Sequence, residues 1–215
     1  MKGKRQLITT LSFPRFERYY AACSNDADLA FKLYRKNQII SERMFVPIQN
    51  LEVALRNALH SSIAPVWGEN WFDHPKIGLT SWQLGKVSSA KDDLLRQSKS
   101  IEPNRLIAEL TFSFWTSMFS GHLEHALWHK GLLNVVFPFA VTPIQRREVL
   151  QDLEAVRNFR NRVFHHEPVF RAAAVTDIHD KILKYIEWIN PEYRQWHNKH
   201  DGFLAIKGKL GPVYP

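Results

Sequence analysis

Ile40, Met44, Ile48, Leu51, Leu55, Leu59 and Ile63 recur at intervals of three or four residues, and this pattern constrains the chain more than any other. An α-helix completes a turn in about 3.6 residues, so side chains at that spacing share one face. The stripe runs for about six turns. A helix with so long an apolar face is stable only when other elements cover it. Pro47 lies inside the pattern and predicts a kink or a helix start there, because proline lacks the N–H that helix geometry uses. Pro65 and Gly68 predict its end.

Other helices are available to cover the stripe. Ser12-Phe13-Pro14 is a cap-and-proline start leading into Phe16 to Ala22. Ser24-Asn25-Asp26 starts a second segment, Ala27 to Lys36. Trp67 to Thr80 lacks a sustained period and reads as a loop holding a few buried aromatics. Ser81 to Ser98 reads as a polar helix, Leu106 to Phe119 as a central helix or helix pair, and His122 to Gly131 as a short helix. Thr142-Pro143 predicts another start, with helix to about His165, where Glu167-Pro168 stops it. Thr176 to Ile189 and Pro191 to Lys199 are the last helices expected. No segment alternates with period two. The expectation is an all-α chain with one domain over residues 1–200 and a Gly/Pro-rich tail, 201–215, that frays from Asp201.

The 215 residues carry a net charge of +8, with +5 of it in residues 1–50. A basic surface favours polyanions by releasing their counterions, although a charge this small also serves solubility alone. The single cysteine, Cys23, excludes a disulfide scaffold and suits a reducing compartment. The most apolar stretch, Gly131 to Val141, is broken by Asn134 and Pro138 and falls short of the ~20 residues needed to span a bilayer. Met1 to Leu11 lacks the apolar core of an export signal. A cytoplasmic protein without membrane segments is expected.

Chemistry concentrates at the end of the helix that starts near Thr142. Val149, Leu153, Val156 and Val163 form its apolar stripe, widened by Leu150 and Phe164, and position 160 would continue it. That position is Arg160. A guanidinium facing a core requires a partner, so the exception marks a candidate site. His165 and His166 follow. Five residues rotate a helix by about 140°, so Arg160 and His165 do not share a face. They converge only if the helix loosens before Pro168 or a second copy of the chain supplies one of them.

Arg160-Asn161-x-x-x-His165 resembles the R-x4–6-H signature of HEPN ribonucleases, and Leu153 to Pro168, ending His165-His166-Glu167-Pro168, resembles the C-terminal part of the bacterial Abi-like (abortive infection) family. Ile48 to His60 resembles that family's first core helix, Ala108 to Trp115 its central segment, and Trp128 to Pro138 the Leu-Trp and Phe-Pro element that follows. Ser113 departs from the glycine common in the central segment. The resemblance covers most of residues 40–170.

It implies a HEPN-like helical bundle with additional helices, a homodimer whose two signature helices face each other, and metal-independent RNA cleavage without a cofactor. The implied catalytic residues are Arg160, His165 and Asn161. His165 would take the ribose 2′-OH proton. Arg160 would hold the phosphate oxygens. Asn161 would orient the histidine or the phosphate. His166 and Glu167 would support them, and Arg157 and Arg162 would hold RNA against the unfavourable dipole of a helix C-terminus. Such an enzyme would be held silent until infection, by an antitoxin or until a phage trigger releases it. The alternative is a non-catalytic helical module that binds RNA or a partner protein.

Glu52, Arg56 and Asn57 form a polar strip beside the long stripe, with His60 one turn further on. Glu52 and Arg56 are spaced for a local i,i+4 ion pair. Alternatively the strip faces the Arg160 helix and Glu52 pairs one of its arginines. His122, His125 and His129 share a face if their segment is helical, but three ligands from one helix is an unusual metal site, and a polar or partner-facing stripe is the expected reading.

Overall fold

The structure, a computed structural model, describes residues 2–209. Among them there are eleven α-helices and no strands. α1 (Lys2–Leu11) and α2 (Phe13–Ala22) precede α3 (Ala27–Trp67), a single helix of 41 residues. At about 1.5 Å per residue α3 is roughly 60 Å long. It joins the Ala27 to Lys36 segment to the stripe and runs through Pro47, so no helix starts at that proline. The stripe explains why: Ile40, Met44, Ile48, Leu51, Leu55, Leu59 and Ile63 are all buried, and so is Pro47 itself. Burying that continuous face outweighs the one main-chain hydrogen bond that proline forfeits. Asp26 caps the start, accepting from the backbone of Asp28 and Leu29, and Gly68 ends the helix with φ 86°.

α3 forms the axis of the fold and packs chiefly against α9 (Ala172–Ile189), α2 and α7 (Leu132–Val136). α4 (Ser81–Arg96) opens with a reciprocal capping box between Thr80 and Gln83. The central apolar segment is a helix pair, α5 (Pro103–Glu109) and α6 (Phe112–Ser117). Loop 68–80 contains two 3-10 turns and buries Trp71, Phe72 and Ile77, as expected.

Three local expectations are corrected. Residues 122–131 form two 3-10 turns rather than a helix, so the three histidines lack a common helix face. α8 (Arg146–Phe164) begins after Thr142-Pro143, and Arg146 anchors it to the Glu124 carboxylate and the Phe119 carbonyl. Asp201 does not start a fraying tail. After α10 (Pro191–His200), Asp201 and Phe203 are buried, and α11 (Leu204–Lys207) follows; residues 210–215 lie outside the described residues. The burial follows from a polar cluster. His179 Nε2 donates to Asp201 Oδ2 at 2.7 Å, His197 Nε2 lies 3.3 Å from that oxygen, and Asn50 Nδ2 donates to His197 Nδ1 at 2.8 Å. Among the described residues no helix is long and apolar enough to cross a membrane.

Candidate functional site

The last turns of α8 carry the site residues, and their placement starts from its buried face. Val149, Leu153, Val156, Phe159 and Val163 are buried. Phe159 takes the core position assigned to 160, since steps of three then four join Val156 to Val163 as well as steps of four then three. Arg160 therefore flanks the core, its side chain 30% exposed. Its Nε donates to Glu52 Oε1 at 3.0 Å, and its guanidinium carbon stands 4.1 Å from the centre of the Phe164 ring. The polar strip of α3 thus faces α8, and Glu52 pairs across the helices rather than with Arg56. Burial pushes the Glu52 carboxyl above its ordinary range, and the attraction and hydrogen bond of Arg160, with the charge of Arg56, pull it back only in part. Arg56 buries its Nε without a hydrogen-bond partner, and Asn57 points to solvent. His60 serves the far end of the strip, accepting from Trp71 Nε1 at 3.1 Å.

Arg160 and Asn161 line a cavity of about 220 Å³ with Trp82 and Lys86 of α4 and Thr111, Phe112 and Ser113 around the start of α6. His165 and His166 open elsewhere, into a cavity of about 300 Å³ shared with Ser12, Pro14, Arg15 and Arg18. Within one chain, then, the arginine and the histidine of the signature address different cavities. The helix does not loosen to bring them together. It closes in a tight turn in which the Glu167 N–H donates to the Arg162 carbonyl at 2.8 Å and the His166 N–H to the Val163 carbonyl at 3.1 Å. His166 holds the left-handed position of that turn at φ 57°, where glycine is usual. Replacing His166 with glycine is expected to stabilise the fold by about 1 kcal/mol, read by urea denaturation; an unchanged or lowered midpoint contradicts strain at this residue.

Groups that sequence reasoning passed over hold this turn in place. Asn37 of α3 is buried; its Oδ1 accepts from the Val169 N–H at 2.5 Å and its Nδ2 reaches the Glu167 carbonyl at 3.5 Å. Its signal was available, since Asn37 interrupts the apolar run from Leu33 to Ile40. Arg162 donates to the Pro168 carbonyl and lies 3.6 Å from the Glu167 carboxylate, so part of its work is structural. Arg157 lies 4.0 Å from Glu154 and turns a buried, unpartnered Nε inward.

The histidines of 122–131 are dispersed among other tasks. His122 Nε2 is 3.1 Å from Gln83 Oε1, and the rings of His125 and His129 meet edge to face. Among the described residues no group of three His, Cys, Asp or Glu is placed to hold a metal. Comparison with protein-family models, with curated proteins and with solved structures gives no match to this chain.

Proposed function

We propose that this chain is a HEPN-type endoribonuclease of the Abi-like kind, acting in the cytoplasm in antiphage defence as a homodimer, with Arg160 from one copy and His165 from the other in each active cleft. The observation that carries the reading is Arg160 itself. A half-buried guanidinium clamped by Glu52, stacked on Phe164 and set beside Asn161 and Lys86 in a cavity is preorganised for a phosphate, and its planar fork still has donors to offer. The Phe164 ring packs on Phe45 at 5.7 Å while both remain more than 40% exposed, which provides apolar surface next to Arg160 for a second copy to cover.

In the proposed reaction His165 accepts the proton of a ribose 2′-OH as the 2′ oxygen attacks phosphorus. The P–O5′ bond breaks, the 5′ oxygen takes up a proton, and a 2′,3′-cyclic phosphate remains. Arg160 neutralises the charge that grows on the phosphoryl oxygens, and Asn161 orients them by hydrogen bonds. Glu52 fixes the arginine. No step calls for a metal or a cofactor. Silence before infection would come from an antitoxin, or would last until a phage-borne trigger releases the activity.

The second reading, a non-catalytic module that binds RNA or a partner protein, is favoured by the separation of Arg160 and His165 within one chain. RNA incubated with the purified protein in EDTA decides between the two. The ribonuclease reading expects cyclic-phosphate products that disappear in both Arg160→Ala and His165→Ala with the oligomeric state intact. Cleavage undiminished in either variant overturns the site, and binding without cleavage favours the module.

A further inference from the structure

A cavity of about 800 Å³ lies on the α2 side of α8, away from Arg160. Its floor is apolar: Phe159, Val169 and Phe170 are each at least nine-tenths buried and turn only their remaining surface to it. Its rim carries three guanidinium groups, from Arg18 on α2, Arg162 on α8 and Arg171 before α9, and no carboxylate lines it. Arg18 and Pro168 also line the His165 cavity, so the two spaces adjoin, and Arg15 continues the basic rim there. The one carboxylate in the second space, Glu167, is beside Arg162. Arg15, Arg18 and Arg171 are exposed and take no carboxylate partner among the described residues. The chain thus bears a run of four arginines over an apolar floor, passing the imidazole of His165.

From this geometry we infer that the α2–α8 groove is a track for single-stranded RNA, with phosphates on Arg15, Arg18 and Arg171 and a base or sugar against the Phe159–Phe170 floor. Charge complementarity selects a polyanion, and the apolar floor, where Phe159, Val169 and Phe170 show only an edge, gives a base or sugar a dry surface to rest on whatever the sequence. The length of the groove selects a strand rather than a single nucleotide, because two adjoining cavities share one rim. Unpaired arginines are the groups that bind in this way, since a guanidinium already held by a carboxylate must first be released. The inference rests on the ribonuclease reading for its substrate class and supplies what that reading lacks: a means of delivering a strand to His165 on a face remote from Arg160.

The test measures binding apart from cleavage. Fluorescently labelled ten-nucleotide oligouridylate is titrated with the His165→Ala protein, and then with the same protein carrying Arg18→Ala and Arg171→Ala. The groove variant is expected to bind about tenfold more weakly at 0.1 M salt, and the slope of log affinity against log salt is expected to fall by about 1.4, since each single-strand phosphate contact contributes about 0.7. A charge-matched control, Arg96→Ala with Arg105→Ala on α4 and α5, should bind like the parent; those two arginines are exposed and already lie beside Asp93 and Glu102. Equal weakening by the control pair reduces the effect to net charge and overturns the track. So does uridine monophosphate competing as well as the ten-mer, which would make the cavity a mononucleotide pocket, or an acidic peptide competing better than RNA. If the groove variant binds normally while cleavage by the full protein still needs Arg160 and His165, the track fails and the ribonuclease stands. If the groove binds as expected and no RNA is ever cut, the reverse holds.

Discussion

Replacing Asp201 with asparagine is expected to lower the unfolding free energy by about 3–5 kcal/mol at pH 7, the range for breaking a buried ionic cluster by removing one partner. For a chain of this size that is a drop of about 10 °C in melting temperature. The carboxylate and both imidazoles beside it, His179 and His197, have side chains with no exposed surface, so solvent does not attenuate the loss. The amide that replaces the carboxylate carries no charge and leaves two buried rings without their anion. Burial by itself would raise the Asp201 carboxyl; the His179 hydrogen bond, the adjacent His197 ring and the Phe203 N–H outweigh it and hold the group well below the usual carboxylate range. The sign of the pH dependence follows. A depressed folded value means the stabilisation is present above the unfolded value, near ~4, and is lost as the pH falls through the folded one. The gap between parent and Asp201→Asn should therefore be smaller at pH 3 than at pH 5. Denaturant titrations at the two values measure it. A gap that is unchanged or wider at pH 3, or a loss under about 1 kcal/mol at pH 7, means the cluster does not hold the C-terminal segment.

The same residue marks a limit of reading this fold from its sequence. Asp201 opens a segment rich in glycine and proline, and local composition points to fraying. His197 is four residues before Asp201, but His179 is 22 positions away and Asn50, reached through His197, is 151, and no local pattern announces those two. Where the information is local and periodic, the sequence was enough: the seven-residue stripe becomes the buried face of α3, and Trp71 and Phe72 are buried in their loop. It misled where two periodic solutions were equally good. Between Val156 and Val163 the helix can bury residue 159 or residue 160, and the all-apolar choice, Phe159, prevails. Arg160 remains unusual for a different reason, since a charged strip on α3 is there to meet it. That strip was legible from the spacing of Glu52 and Arg56, although spacing could not decide between a local pair and a cross-helix one. Arg15 and Arg18 show only as part of the basic excess of residues 1–50, and Arg171 in no pattern. Each is an ordinary exposed arginine in its own segment, and they form a run only because packing brings α2 and the start of α9 to the same side of α8.

The division of Arg160 and His165 between two cavities makes a quantitative demand on the ribonuclease reading. Each variant alone, Arg160→Ala or His165→Ala, should lose about a hundredfold to a thousandfold in cleavage rate, the usual cost of removing one group that stabilises developing charge or moves the proton. Mixed one to one under conditions that let subunits exchange, the two dead proteins should recover about a quarter of parental activity. Half the dimers are then mixed, and a cleft that takes its arginine from one copy and its histidine from the other is complete at one of the two positions in each mixed dimer. If both groups came from a single chain, neither protein could complement the other and the mixture would stay inactive. Recovery near a quarter, with the same cyclic-phosphate products and no effect of EDTA, fits only a shared cleft. A silent mixture of proteins shown by native mass spectrometry to have exchanged subunits would sink the shared cleft. Because α8 closes in a tight turn at His165 and leaves the two side chains facing apart, it would leave Arg160 and His165 without a route to a common phosphate.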